Sequence, residues 1–136
     1  MRVIYWHVNS LKVVHTQKAL KSAEDINEKT KRFENGVVCL ISLEEGDQDK
    51  ENLFEMFYED LMKYANQINV KKFFLYPYAH LSNNLLKPSL SKELFYSLVK
   101  FLKNKGLDVD YGEFGWYKEF KVHVKGHPLA ELSRSF

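Results

Sequence analysis

Cysteine, proline and glycine are scarce in this chain of 136 residues: one, three and six respectively. The single cysteine, Cys39, excludes an intramolecular disulfide, so the fold must rest on a packed core. It sits in the apolar run Val37-Val38-Cys39-Leu40-Ile41, which marks it as a small buried hydrophobe. No apolar stretch approaches the roughly 18 residues of a membrane-spanning helix. The opening Met1-Arg2-Val3-Ile4-Tyr5-Trp6 meets His7 and Asn9 too early for a signal peptide. A cytoplasmic protein with no membrane association is the default expectation. Charge of one sign is also lacking. Twenty Lys and Arg against 18 Asp and Glu leave a net +2, too little to hold nucleic acid by overall charge, because phosphate contacts dominate that affinity. RNA binding would need local basic patches or a neighbouring domain. Five histidines and one cysteine show no zinc-ligand spacing. There is no Gly-x-Ser-x-Gly elbow and no phosphate-cradling glycine loop.

What is present is apolar and aromatic. Hydrophobic residues make up 45% and aromatics 15%, enough for one domain over residues 1–136 with a sizeable core. Arg2 to Val8 reads as a strand, with Leu11 to Thr16 returning as its hairpin partner around Asn9-Ser10. Residues 17–36 are polar, without period, and read as a loop with one short helical turn. Val37 to Leu43 is apolar throughout, the pattern of a strand covered on both faces. Asp47 or Asp49 is placed to cap a helix reaching Gln67, whose stripe is Leu53, Phe54, Phe57, Leu61, Met62, Ala65 and Ile68. Lys71 to Tyr76 is a strand, and Pro77 to Ser89 a loop. Ser89 or Ser91 is placed to cap a second helix to Lys105, stopped by Gly106. Leu107 to Phe114 and Trp116 to Lys125 read as strands joined near Gly115. The class is α/β, with about six strands and two longer helices.

Three segments are poor structural filler. Tyr76-Pro77-Tyr78-Ala79-His80-Leu81-Ser82 leaves the end of a strand, where α/β sheets gather ligands; His80 there is either a solvated loop residue or a proton-handling group. In Phe114-Gly115-Trp116-Tyr117-Lys118, strand parity puts Lys118 on the side of Phe120, Val122 and Val124, and Lys121, His123 and Lys125 on the other. A lysine on an apolar face is costly unless it opens into a pocket; a strand starting later, or a bulge at Gly115, would reset the register. In Lys125-Gly126-His127-Pro128-Leu129-Ala130-Glu131-Leu132-Ser133-Arg134, Pro128 suits the start of a short helix, with Glu131 and Arg134 pairing across one turn.

In order and spacing these three blocks resemble the signature blocks of the archaeal threonyl-tRNA synthetase N-terminal editing domain. The strand ending in His7 and the stretch Ile41-Ser42-Leu43-Glu44 are similar as well, so the likeness spans essentially the whole chain. The resemblance implies a D-aminoacyl-tRNA deacylase-like fold, a homodimer, and metal-free, cofactor-free hydrolysis of serine wrongly esterified to the acceptor end of threonine tRNA. It puts the catalytic roles on Lys118 and His80. It puts Tyr117, Glu131, Ala79, Leu43, Pro77 and His7 around the substrate. The family often reads His-Ser-Asp where this chain reads His7-Val8-Asn9, which leaves the role of that acid unfilled. A synthetase catalytic module follows in most relatives, and the sequence leaves open whether one acts here in cis or in trans. Two other readings stand beside this one: a D-aminoacyl-tRNA deacylase, and a non-catalytic tRNA-binding or dimerisation module.

Overall fold

The structure, a computed structural model, describes residues 1–136. Its centre is one long strand, β1 (Arg2–Lys18), antiparallel to β2 (Thr30–Ser42). The chain then makes a short turn over Asp47–Asp49 and enters helix α1 (Leu53–Ile68). It continues through β3 (Lys72–Pro77), a turn over Ala79–Leu81, helix α2 (Pro88–Asn104), β4 (Asp108–Tyr111), β5 (Trp116–Val124) and β6 (Glu131–Ser135). The sheet order is β4-β3-β2-β1-β5, with β6 also on β1. β3 runs parallel to β2 and to β4, and the remaining pairs are antiparallel.

Both amphipathic helices lie on one face of this sheet. Leu53, Phe57, Leu61 and Ala65 of α1 and Phe95, Leu98 and Leu102 of α2 are buried against Val3, Tyr5, Val37, Cys39 and Ile41. Each large side chain so buried contributes about 1.5–3 kcal/mol. The opposite face holds a second cluster: Val8, Leu11, Val13, Phe33, Val38, Leu40, Phe74 and Tyr76. Burial on both faces explains the unbroken apolar run of β2. It also leaves Cys39 fully enclosed, with its thiol pushed up by burial.

The six strands expected are six in number, with different members. Asn9-Ser10 is not a hairpin turn. β1 runs straight through it, and only the pairing with β5 shifts register between Val8 and Ser10. That bulge moves the inward-facing positions from Ile4, Trp6 and Val8 to Leu11 and Val13, which mimics a new strand in the sequence. Residues Thr30–Gly36, expected as loop, extend β2. Asp47 does not cap α1; its buried carboxylate accepts the Glu44 N–H (2.7 Å) and pairs with Lys50 (2.9 Å). Neither serine caps α2, which begins at Pro88, while Ser91 donates to the Leu86 carbonyl. Gly106 does stop that helix, with φ 86°. β4 ends at Tyr111, well short of Phe114. The short helix expected after Pro128 is instead β6. On that strand Glu131 and Arg134 do not pair; Arg134 bonds Asp60 of α1 at 3.2 Å.

Candidate active site

A cavity of about 540 Å³ opens where β2 and β3 end, walled by the loop after β3, the start of α2 and the start of β5. Its floor is aromatic. The Phe120 and Tyr76 rings meet at 5.4 Å between centroids, Tyr76 and Tyr78 at 6.0 Å, and Tyr78 and His80 at 5.1 Å. Of 21 lining residues 14 are hydrophobic, so charges inside are weakly screened.

Lys118 enters this space from β5. It stands opposite His15 in the register, without a bulge at Gly115, and so shares the side of Phe120. Gly112 makes room for its stem: a Cβ there would lie 3.1 Å from Lys118 Cε. The ammonium donates to the Trp116 carbonyl (2.8 Å) and stands 5.3 Å over the Tyr76 ring. Burial lowers its pKa to about 8, partly opposed by the Glu113 carboxylate. Burial also raises the Tyr76 hydroxyl to about 12, so it stays protonated beside the lysine.

Polar side chains missed by the sequence reading hold the walls. The buried Ser42 hydroxyl donates to the Tyr78 carbonyl and accepts the Leu81 N–H (3.2 Å), which fixes the turn that carries His80. Ser82 donates to Glu44, and the Leu86 N–H to the Leu43 carbonyl (3.0 Å), closing the same loop. On the other wall His15, buried and with its pKa lowered by burial, bonds the Lys29 carbonyl (2.9 Å) through Nδ1 and accepts the Glu113 N–H (2.9 Å) at Nε2. Tyr96 donates to the Glu113 carboxylate (2.6 Å) and accepts the Phe114 N–H. The only sequence signal for Ser42 was a polar residue closing an apolar run. For Gly112 it was a lone glycine beside a strand, which marks a close approach.

Six of the eight expected site residues line this one cavity: Lys118, His80, Tyr117, Ala79, Leu43 and Pro77. His80 is exposed at the rim, and Tyr117 is 58% exposed. Glu131 and His7 lie outside it. Glu131 is exposed on β6 opposite Trp6, because that segment is a strand along the first half of β1. The His7 ring meets His127 instead, 2.8 Å from Nδ1 to Nε2. No three His, Cys, Asp or Glu side chains stand together as a metal-binding group.

The backbone as a whole is similar to that of c-Myc DNA unwinding element binding protein, with a TM-score of 0.72 over 100% of this chain and 99% of that one. At 11% identity the likeness is one of fold, and the α/β fold of the deacylase type expected from the sequence is the one found. Curated relatives are closer in sequence. The threonine–tRNA ligases of Nanoarchaeum equitans and Pyrococcus horikoshii are 42% and 38% identical over 139 and 138 residues, covering 99% of this chain. That of Nitrosopumilus maritimus is 40% identical over 135 residues. The chain spans about a fifth of these proteins, 22%, 22% and 21% of their lengths. The model of the archaea-specific editing domain of threonyl-tRNA synthetase matches residues 1–136, and the chain belongs to that family.

Proposed function

We propose that residues 1–136 act as one editing domain that hydrolyses the ester between L-serine and the terminal adenosine of threonine tRNA. The observation that carries this reading is a single one. A lysine ammonium, drawn from solvent and lowered to about 8, is fixed inside a mostly apolar cavity with His80 at its rim. Serine lacks one methyl of threonine, and a synthetic site that admits threonine rejects serine by only about 1–3 kcal/mol. A second, hydrolytic site must make the opposite choice. In this proposal Lys118 holds the seryl group and the attacking water, and the methyl of threonine displaces that water. His80 orients the substrate or the water, and the ribose hydroxyl of the tRNA assists. The lysine or nearby backbone amides meet the developing oxyanion. Leu43 and Ala79 offer main-chain groups for the adenosine and the amino acid, beside Tyr117 and Pro77. Glu131 and His7 receive no role in the cavity of one chain.

The domain is further proposed to work in the cytoplasm as a homodimer, beside a synthetase catalytic module in cis or in trans. No helix is long and apolar enough to cross a membrane. Sedimentation tests the homodimer, and a single-chain mass overturns it. Parallel deacylation time courses on Ser-tRNA, Thr-tRNA and a D-aminoacyl-tRNA test the activity. Selective loss of the seryl ester is the expected result. Preference for the D-ester overturns the serine specificity, and tRNA binding with no turnover of any ester overturns the activity.

A further inference from the structure

The side of the sheet away from the second cluster carries a row of like charge. Arg32 of β2, Lys12 of β1 and Lys121 of β5 occupy directly paired positions across three adjacent strands. None of the three belongs to an ion pair, whereas Lys18 and Lys31 close by are matched to Asp25 and Asp110. Like charges placed directly opposite one another destabilise a sheet. The row therefore costs stability in a chain whose net charge is only +2.

Two further groups extend it. His123 follows Lys121 on the same side of β5, and Lys125 stands where that strand ends. Successive steps of two residues are about 6.6 Å, close to the repeat at which a nucleic-acid strand presents its phosphates. Lys125 donates to the Asn9 side-chain oxygen, and the Asn9 amide meets the His123 ring. Both are therefore steadied by a neutral amide. A cleft of about 380 Å³ takes in all three cations of the row, Lys12, Arg32 and Lys121, together with Ser10, Glu34 and the strand positions Leu11 and Phe33 between them. Two carboxylates border it, Glu34 opposite Ser10 and Glu119 opposite Val14, and neither bridges to a cation of the row. The charge is thus open to an outside anion.

We infer that this row is a docking surface for the phosphodiester backbone of an RNA. The inference rests on the editing function proposed above, and it names where the body of the tRNA lies while its aminoacylated end occupies the cavity. Lys121 is three residues along β5 from Lys118, about 10 Å. One strand therefore carries the cavity lysine on one side and the phosphate-binding row on the other. A nearly neutral domain gains RNA affinity this way without general basicity, because the phosphate term depends on local contacts.

The test compares the Lys12→Gln/Arg32→Gln/Lys121→Gln variant with wild type and with Lys63→Gln/Lys71→Gln/Lys100→Gln. The latter makes the same charge change at exposed positions free of ion pairs elsewhere. Binding of fluorescent threonine tRNA is titrated over a salt series, and hydrolysis is followed on seryl-tRNA and on seryl-adenosine, which has no phosphate. Losing three phosphate contacts at about 0.7 each lowers the salt slope by about two. Between about 50 and 200 mM salt the variant then loses about twentyfold less affinity than wild type. KM for seryl-tRNA is expected to rise about tenfold or more, with kcat and seryl-adenosine hydrolysis unchanged. The control triple variant is expected to behave as wild type. An active row variant with wild-type affinity and slope overturns the inference and leaves the row to an acidic protein surface. A wild-type domain that hydrolyses neither ester overturns the editing function, and with it the inference.

Discussion

Replacing Lys118 by methionine separates function from stability. Burial brings this amine from the ordinary lysine value of 10.5 to about 8. At about 1.4 kcal/mol per tenfold change, keeping it protonated in the cavity costs about 3 kcal/mol at neutral pH. Methionine has a similar length, carries no charge and fits the same channel past Gly112. It leaves the Trp116 carbonyl without this donor, a loss of about 1–3 kcal/mol. The two effects nearly offset, so Lys118→Met is expected to unfold in urea within about 2 kcal/mol of wild type. Deacylation of Ser-tRNA is expected to fall about a hundredfold or more. The stability difference also has a defined pH dependence. Below about 8 both folded and unfolded wild-type chains hold the proton, and the cost is fully present. Between about 8 and 10.5 the unfolded chain holds a proton that the folded chain has released, so wild type gains stability relative to the variant as pH rises. Hydrolysis by wild type should decline over the same rise through about 8, because the proposed mechanism assigns the work to the ammonium form. Near-normal hydrolysis by the variant, or a loss of stability above about 4 kcal/mol, would refute the reasoning. So would a wild-type rate that climbs through pH 8.

Gly112→Ala places a Cβ 3.1 Å from Lys118 Cε; it is expected to displace the ammonium and lower the deacylation rate, with an urea midpoint close to wild type. His80→Ala alters an exposed rim residue, so the rate should drop by about tenfold to a hundredfold while thermal unfolding is unchanged. Ser42→Ala removes the hydroxyl that joins the Tyr78 carbonyl to the Leu81 N–H; the expected cost is about 1–3 kcal/mol in denaturant, with a raised KM because the His80 turn loosens. Gly36→Ala drives a Cβ to within 2.3 Å of the Phe33 ring and 2.6 Å of the Lys72 carbonyl, and calorimetry should show a loss of about 2 kcal/mol or more from overpacking between β2 and β3.

The linear pattern by itself determined the two helices, through the stripes of Leu53, Phe57 and Leu61 and of Phe95, Leu98 and Leu102. It determined the buried run through Cys39 and offered the side of Phe120 for Lys118, because these follow from fixed periods of 3.6 and 2; that the strand already includes Lys118 was decided only by its pairing with His15. Its blocks around His80 and Lys118 also carried the family. Only the tertiary structure decided that β1 is one strand, because a bulge reverses side-chain parity as a turn would. It alone made residues 131–135 a strand, since Glu131 to Ser135 gain their hydrogen bonds from β1, more than 120 positions earlier in the chain. Ser42, Gly112 and His15 were out of sight as builders of the cavity because their contacts are set by strand pairing and loop path, whatever the separation in sequence. Their partners, Tyr78, Lys118 and Glu113, are 36, 6 and 98 residues away. The Arg32–Lys12–Lys121 row has the same origin. Three cations scattered over 110 residues become neighbours only when β2, β1 and β5 pair, because strand register brings distant positions together and composition does not.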